Sequence, residues 1–445
     1  MTTPSSTIDD FRRHLLANDR DVDRTLEADQ RRVETLRALE ELKAAACALQ
    51  AELAVDLDAS RRSQRSAAGE RAERQGRGVT HEVALARRES PHRGQVLLGM
   101  AKDLVAELPH TLAAMREGRL SEYRAQLIVT ETSGLASDLR SAVDEQLCAD
   151  PRTLDGVGTR RLAGMARRAA QQLDPAAAVR RNRRAVGDRH VSTRPAPDGM
   201  VYFSALVPLV QGVAMYAALK KAADQVVGAG DPLGRTRSQV MADVLVERVT
   251  GQTAADDVAV QVDLVLSDTT LLGGGTDPAL VPGHGDIPAE IARHLVAHAV
   301  DVGAAWVRRF YADPSGRLVA MATNQRLTTD GLSTFLRIRD QGICRTPWCD
   351  APIRHDDHVR SAAAGGPTTE ANTQGLCEAC DYAKQATGWQ QVVVDDPSGR
   401  HRVDTVTPTG HRHVSIAPSP PRPARASTTT AASAGEQRFR AALAA

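Results

Sequence analysis

The sequence predicts a mainly α-helical protein of the α+β class, in which a large helical N-terminal domain with a few strands precedes a small cysteine-rich module. Apolar residues recur every three or four positions through most of residues 30–300, which is typical of amphipathic helices. Aromatic residues make up 3% of the chain, so the core must consist of Ala, Leu and Val, which favours close helix packing. Four of the six cysteines lie within residues 344–380, which separates this segment from the helical part.

The helical domain is predicted over residues 30–327, after a polar, mixed-charge stretch at residues 1–29 that we expect to be a flexible N-terminus. Its first helix follows from a repeat of apolar residues at Leu36, Leu39, Leu42, Ala46, Leu49 and Leu53. Residues 60–80 are rich in Arg, Gly and Ser and predict a loop or a weak helix. The same apolar periodicity predicts later helices at 96–105, 112–115, 123–130, 142–147, 162–173, 210–226, 238–249 and 287–300.

Strands are predicted where apolar or β-branched residues alternate or run together, at residues 200–207 and 258–266. Residues 267–288 are rich in Gly and Pro and predict an irregular connection. Residues 306–322 predict a short hairpin around a Pro-Ser-Gly turn. We place the end of the helical domain near Leu327.

The composition excludes several classes of protein. The 56 basic residues nearly balance the 55 acidic ones, so no overall charge commits the chain to an acidic partner. No stretch approaches the roughly 18 apolar residues of a membrane span, and the charged N-terminus lacks the apolar segment of a signal peptide. We therefore expect a cytoplasmic protein without a membrane partner. After Asp395 a small Val-rich stretch predicts the remnant of a strand, which gives way to sequence rich in Pro, Ala, Ser and Thr, and we expect residues 396–445 to form a disordered tail.

The cysteine-rich module is predicted over residues 328–395 and contains two cysteine pairs. The pairs have the spacings C-x4-C and C-x2-C, and 27 residues separate them. Short spacings let two thiolates point inward from one tight turn, and two such turns complete a tetrahedral site suited to Zn²⁺. We expect this zinc to be structural, because four sulfur ligands leave no position for water. The alternative is four free or disulfide-bonded thiols. The predicted ligands are Cys344, Cys349, Cys377 and Cys380.

Between the two pairs, the run His355-Asp356-Asp357-His358 places two imidazoles and two carboxylates in four positions. A neutral histidine is a competent base near pH 7, and a carboxylate is a hard oxygen ligand for Mg²⁺. Adjacent residues of a strand point to opposite faces, so Asp357 and His358 approach one point only if the strand ends or twists there. The alternative interpretation is a solvated polar turn.

These residues carry a resemblance to a known motif. Cysteine pairs that bracket Asp357-His358, followed by Gly365-Gly366, Asn372 and a C-x2-C helix ending in Lys384, resemble the ββα-metal motif of HNH endonucleases. The segments CRTPWCDAPIRHDDHV and NTQGLCEACDYAK resemble an actinobacterial family with a C-terminal HNH module, the thirteen-E-twelve repeat family. Its N-terminal helical domain has no known function, and GQVLLGMAKDLVAELPHTLAAMREGRLSEYRAQLIV is similar to that domain. The resemblance covers about residues 30–395.

The resemblance implies a metal-dependent endonuclease that hydrolyses DNA phosphodiester bonds. It implies that His358 is the general base, that Asp357 is the first ligand of one Mg²⁺ or Mn²⁺, and that Asn372 fixes the loop. Asp381 stands where the family usually has Asn or His as the second metal ligand. Its added negative charge leaves open an alternative, a catalytically impaired, zinc-stabilised nucleic-acid-binding protein.

The cations nearest to this site in the sequence are Arg354, Arg360 and Lys384, which we expect to contact phosphates. His355 has no firm role and fits either a position near the phosphate or a plain surface site.

Residues 341–390 contain four basic and six acidic residues, so the module alone should bind DNA poorly. Residues 150–190 hold ten Arg against four Asp and predict either a phosphate-contacting face or a solvated helix surface. A third possibility is that the N-terminal domain binds a protein. The sequence sets no oligomeric state.

Overall fold

The computed structural model describes residues 4–17, 24–252, 263–301 and 330–419. The chain forms two compact units, of which the first comprises Met1–Leu57 with Leu97–Ala178 and the second comprises Asp58–Val96 with Val179–Ala445. The described residues are mainly helical with small antiparallel sheets, which confirms the predicted class. The predicted hairpin within 306–322 and the boundary near Leu327 lie outside the described residues. No helix among the described residues is both long and apolar enough to span a membrane.

The first unit is built from helices packed around an aliphatic core. Its fully buried side chains include Leu104, Leu108, Met115, Ile128 and Leu162, as the scarcity of aromatic residues predicts. The helices are α1 (Pro4–Ala17), α2 (Leu26–Ala67), α5 (Pro91–Glu107), α6 (Pro109–Arg116), α7 (Glu122–Thr132), α8 (Ser137–Cys148) and α9 (Thr159–Leu173). Of these, α2 ends and α5 begins in the second unit.

A buried carboxylate fixes the start of α6. Asp144 accepts hydrogen bonds from the backbone N–H groups of His110, at 2.7 Å, and Thr111, at 2.8 Å. The first N–H groups of a helix have no partner within the helix, so this side chain on α8 satisfies them. Asp144 therefore joins two helices that are distant in sequence.

The N-terminus differs from the prediction of a flexible stretch over residues 1–29. Residues 4–17 form α1, and α2 begins at Leu26. The helical conformation of α1 is supported by ion pairs three residues apart, such as Asp9 with Arg12 at 3.1 Å. The helix also has apolar residues three and four positions apart, at Ile8, Phe11 and Leu15, which the average polarity of residues 1–29 conceals.

The second unit contains the remaining α-helices, of which α10 begins in the first unit, and all the strands that the structure describes. The helices are α3 (Ala72–Gln75), α4 (Val79–Arg87), α10 (Pro175–Gly187), α11 (Leu209–Gly228), α12 (Arg237–Thr250), α13 (Asp268–Leu272), α14 (Ala289–Asp301), α15 (Asp330–Arg339) and α16 (Glu378–Lys384). The strands are β1 (His190–Pro195), β2 (Val201–Leu206), β3 (Ala279–Val281), β4 (Gly285–Ile287), β5 (His355–His358), β6 (Thr373–Leu376), β7 (Gln390–Val394), β8 (Arg402–Val406) and β9 (Arg412–Ile416). Three two-stranded sheets pair β1 with β2, β3 with β4 and β5 with β6, and a three-stranded sheet has the order β7-β8-β9.

The helices predicted from apolar periodicity are confirmed, as is the strand at 200–207. The predicted strand at 258–266 lies mostly outside the described residues, and its Val265 forms an isolated bridge with Leu280. Residues 267–288 are more regular than predicted, because they contain α13, β3 and β4. The Ser267 side chain accepts a hydrogen bond from the Thr270 N–H and so caps α13.

The prediction that residues 396–445 form a disordered tail is wrong for β8 and β9. Val403 is buried in the sheet, and the adjacent Asp404 carboxylate is 1% exposed. Arg402 donates to Asp404 at 2.9 Å, and Arg412 of the neighbouring strand pairs with the same carboxylate. This cross-strand cluster stabilises the sheet, and the average composition of the tail conceals it.

Candidate metal centre

Four cysteines from two separate turns meet at one point. Cys344 and Cys349 lie in the loop that follows α15, where Trp348 adopts a left-handed conformation with φ of 60°. Cys377 is the N-cap of α16, and Cys380 lies in its first turn. All four side chains are buried, and their sulfur atoms lie within 4.8 Å of one another. The cluster could therefore hold a metal ion such as zinc.

The four sulfur atoms lie too close together for all of them to be ionised in the absence of a cation. No disulfide joins these cysteines, and the Sγ atoms of Cys349 and Cys377 are 3.8 Å apart. Hydrogen bonding, first with Cys344, lowers the pKa of Cys377 and raises that of Cys380. A bound cation is what would let all four sulfurs ionise together, because thiolates at this separation repel one another.

Backbone hydrogen bonds attach the first cysteine turn to β6. The Arg345 N–H donates to the Gly375 carbonyl at 2.9 Å, and the Arg354 N–H donates to the Leu376 carbonyl at 2.8 Å. Leu376 is fully buried against the four cysteines. The hairpin β5–β6 and α16 are thus held to the metal centre by regular structure as well as by the cysteines.

A buried ion cluster supports the same hairpin and was not predicted from the sequence. The Asp340 carboxylate accepts hydrogen bonds from Arg339 at 2.8 Å, Arg345 at 2.9 Å and the Gly375 N–H at 2.9 Å. Burial alone would raise the pKa of Asp340, but the charges of the two arginines and these hydrogen bonds lower it. In the sequence Arg339 is next to Asp340, but nothing there indicates that Arg345 and the Gly375 N–H also bind this carboxylate.

Asp357 lies on the face of β5 that is turned towards α16. Its Oδ2 accepts hydrogen bonds from Gln374, at 3.0 Å across the hairpin, and from the Lys384 ammonium. Lys384 also donates to the His358 carbonyl oxygen. Burial raises the pKa of Asp357, an effect that the Lys384 charge partly offsets. The structure therefore brings together two of the predicted site residues, Asp357 and Lys384.

His355 and Asp381 form a second pair beside the first. The His355 Nδ1 lies 2.7 Å from the Asp381 Oδ2. Because side chains two positions apart share a face of a strand, His355 points to the same side of β5 as Asp357. The Tyr382 ring meets the His355 ring edge-on at 6.1 Å. Sequence reasoning gave His355 no firm role, and the structure gives it this carboxylate partner.

His358 ends β5, and the loop after it is tightly fixed. The His358 Nε2 lies 2.9 Å from the Thr368 hydroxyl. Asn372 accepts a hydrogen bond from the Arg360 N–H at 3.0 Å and donates to the carbonyls of Arg360, at 3.0 Å, and Pro367, at 2.8 Å. A Cβ at Gly366 would lie 1.9 Å from the Arg360 oxygen, so glycine is needed for this close approach. Asn372 thus holds the two ends of the loop together.

The other predicted phosphate contacts are at the surface. Arg354 and Arg360 are both exposed, and the Arg360 guanidinium donates to the Ala364 carbonyl at 2.8 Å. Potential metal ligands are the side chains of His, Cys, Asp and Glu. Among the described residues, the four cysteines are the one group in which three or more of these side chains bring their ligand atoms together. The assignment of Asp357 and Asp381 as magnesium ligands and of His358 as a base therefore stays a prediction.

The basic stretch at residues 150–190 is divided between the two units. Arg160, Arg161 and Arg168 are exposed on α9, while Arg167 pairs with Glu131 at 2.6 Å. This arrangement fits both predicted alternatives, a phosphate-contacting face and a solvated helix surface.

Comparison with known proteins identifies the N-terminal part of the chain. No curated protein and no solved structure matches the sequence. A family model described as a domain of unknown function, DUF222, matches residues 33–340, which is more than half of the chain. The match ends just before the first cysteine pair. The chain therefore belongs to the DUF222 family.

Proposed function

We propose that residues 328–395 form an HNH-type endonuclease module that hydrolyses DNA phosphodiester bonds with the aid of a divalent metal ion. The observation that carries the proposal is a hairpin and a short helix joined by four converging cysteines, with Asp357 and Asp381 on the facing sides of β5 and α16. The order of residues in this module resembles the HNH motif. The zinc would act as a structural ion.

The acidic residues fit the predicted magnesium or manganese ion. Asp357 and Asp381 offer the hard oxygen ligands that these ions prefer. The pKa of Asp357 is raised by burial and further by the neighbouring charge of Asp381, so a cation between them would relieve both effects. When bound, such an ion would neutralise charge on the phosphate and the departing oxygen.

In this proposal His358 takes a proton from the attacking water. A neutral imidazole is suited to that task near pH 7. The Thr368 hydroxyl orients the ring, and Asn372 keeps the adjoining loop in place. Lys384 would contribute positive charge beside the phosphate, since its ammonium group already lies between β5 and α16.

A second candidate function is nucleic-acid binding by a zinc-stabilised module with impaired catalysis. It is favoured by the pairing of the two carboxylates with protein partners, since Asp381 is held by His355 and Asp357 by Lys384. In this case the carboxylates would stabilise the hairpin instead of holding a metal ion.

Plasmid cleavage distinguishes the two functions. Full-length, zinc-loaded protein is incubated with supercoiled plasmid in Mg²⁺ or Mn²⁺. The control is the same buffer without these ions, because EDTA would also remove the structural zinc. We expect nicked or linear product that His358→Ala reduces by about 10²–10⁴-fold, the usual contribution of a general base. His284→Ala, at an exposed histidine outside the module, should cleave normally. Equal cleavage by the His358 variant would contradict the base assignment, and binding without cleavage would favour the second function.

A further inference from the structure

The proposed nuclease module has a net negative charge, which disfavours the binding of DNA. Residues 341–390 hold four basic and six acidic residues, although phosphate neutralisation dominates DNA binding. Positive charge must therefore come from another part of the chain. In the second unit, residues 65–78 contact the module at several points. They include the arginine segment, which we define as residues 71–77 with Arg71, Arg74 and Arg77.

A buried arginine ties the arginine segment to the module. The Arg65 side chain donates hydrogen bonds to the carbonyl oxygens of Gln75, at 2.9 Å, and Arg77, at 2.6 Å, on one side. On the other side it donates to the Thr387 carbonyl, just after α16, at 3.3 Å. One guanidinium therefore sets the position of the arginine segment relative to α16.

Two further contacts make this attachment specific. The Thr387 hydroxyl donates to the Glu70 carboxylate at 2.6 Å. Gly78 has φ of 84°, and a Cβ there would lie 2.6 Å from the Trp389 indole nitrogen. The chain at Gly78 is therefore in a left-handed conformation and in close contact with the module.

The arginine segment lies beside the proposed active site. The Arg77 guanidinium carbon is 5.9 Å from the centre of the Tyr382 ring, and Tyr382 contacts His355, the partner of Asp381. Arg71 and Arg74 are exposed, and neither forms an ion pair with any residue that the structure describes. The segment has three guanidinium groups and one acidic residue, Glu73.

We propose that the arginine segment is the phosphate-contacting surface for duplex DNA, and that it directs the DNA backbone to the face of the module that carries His355 and Asp381. The inference rests on the proposed nuclease function. Guanidinium groups form paired hydrogen bonds with phosphate oxygens. Of the three, Arg77 lies against Tyr382, which contacts His355, and Arg71 and Arg74 extend the positive charge along the same short segment. The surface predicted at residues 150–190 then has a different role.

Salt-dependent DNA binding tests this assignment. A labelled duplex is titrated with full-length, zinc-loaded protein in buffer without Mg²⁺ or Mn²⁺, so that binding is measured without cleavage and the structural zinc is kept. We expect Arg71→Gln/Arg74→Gln/Arg77→Gln to weaken binding and to reduce the salt slope by about 0.9 for each phosphate that the protein no longer neutralises. The matched control, Arg160→Gln/Arg161→Gln/Arg168→Gln on α9, should bind like the unmodified protein. Arg71→Gln/Arg74→Gln, which changes only exposed side chains, gives a smaller loss and covers the case in which the triple variant fails to fold.

Unchanged affinity and slope in both arginine-segment variants would overturn the inference, as would a greater loss in the α9 variant. His358→Ala separates this result from the proposed function, because it should bind DNA normally and fail to cleave it. If cleavage depends on His358 but the arginine-segment variants bind DNA normally, the proposed nuclease function stands and the assignment of the arginine segment is wrong. If those variants lose DNA binding and the unmodified protein shows no cleavage, the arginine segment is the DNA-binding surface and the proposed nuclease function is wrong.

Discussion

Asp340 is a buried carboxylate whose partners come from both halves of the cysteine-rich module. It joins the end of α15, the first cysteine turn and β6 through Arg339, Arg345 and the Gly375 N–H. Its lowered pKa means that the ionised form is the one that the folded protein stabilises. The removal of this charge leaves two buried guanidinium groups without their partner.

We predict that Asp340→Asn destabilises the protein by about 3–5 kcal/mol, which is the usual cost of breaking a buried ion pair by removing one partner. Urea unfolding followed by circular dichroism measures the change. Asp350→Asn, at an exposed aspartate in the same module, should stay within about 0.5 kcal/mol of the unmodified protein. Equal stability of the two variants would show that the Asp340 cluster contributes little.

Lys384 competes with a metal ion for Asp357 in the proposed site. Its ammonium group contacts the Asp357 Oδ2, and unit charges about 4 Å apart interact by about 4 kcal/mol at an effective dielectric constant of 20. Lys384→Met should therefore tighten Mn²⁺ binding by at least about tenfold in calorimetric titration of the zinc-loaded protein. The exposed Lys220→Met should have no effect. Weaker or unchanged Mn²⁺ binding by Lys384→Met would argue against a metal ion at Asp357.

At the residue scale, what the sequence predicts depends on how local the contact is. The cysteine cluster was predictable because each pair of ligands comes from one short turn with a recognisable spacing. The pairing of His355 with Asp381 was not, because the partners are 26 positions apart and meet only when β5 packs against α16. The Asp340 cluster was missed for the same reason.

Among the elements, the short helix α3 depends on a side chain more than on its own sequence. Its four residues include none that is buried, and it is held by the hydrogen bonds that Arg65 donates to the carbonyls of Gln75 and Arg77. Arg65 itself is 7% exposed. The position of α3 therefore follows from an arginine at the end of α2.

Arg65→Met keeps much of the apolar stem and removes all of these hydrogen bonds. We predict faster amide hydrogen exchange in residues 70–78 and 385–389 and little change in α7 and α9, because the affected carbonyls lie only in the first two segments. Arg37→Met is the matched control, since Arg37 extends from the same helix, is exposed and pairs with Glu41. Equal exchange in the two variants would contradict the role given to Arg65.

The elements also show where pattern reasoning succeeds. Helices such as α5, α7 and α9 bury one apolar face, and that face produces the periodicity from which they were predicted. By contrast, β8 and β9 are stabilised by Arg402 and Arg412 around Asp404, which leaves a polar sequence. The helix α1 has apolar residues at Ile8, Phe11 and Leu15, but they are exposed, so charged pairs such as Asp9 with Arg12 also support it.

On the scale of the whole molecule, half-buried histidines link folding to pH. Burial lowers the pKa of His81 to about 4, and burial with the charges of Arg339 and Arg345 lowers that of His401 to about 3. The unfolded chain binds protons at these histidines near the ordinary value of about 6.5, whereas the folded chain keeps them neutral. The contribution of these two histidines to the free energy of unfolding is therefore fully present above about pH 6.5, and it is lost as the pH decreases towards 3.

This linkage predicts a lower urea midpoint at pH 5 than at pH 7. His401→Asn should make the fall between these values smaller, because one group no longer gains a proton on unfolding. The exposed His284→Asn should leave the fall unchanged. The same pH dependence in all three proteins would mean that His401 is not held neutral by the fold.

The proposed module depends on a zinc ion that joins the two cysteine pairs and so orders β5, β6 and α16. Elemental analysis of the purified full-length protein tests this most directly. We predict one zinc per chain, which Cys349→Ser/Cys380→Ser removes and Cys47→Ser, in α2, retains. Protein that contains no zinc while its cysteines are reduced, or that keeps its zinc after two of the four ligands are replaced, would contradict the account.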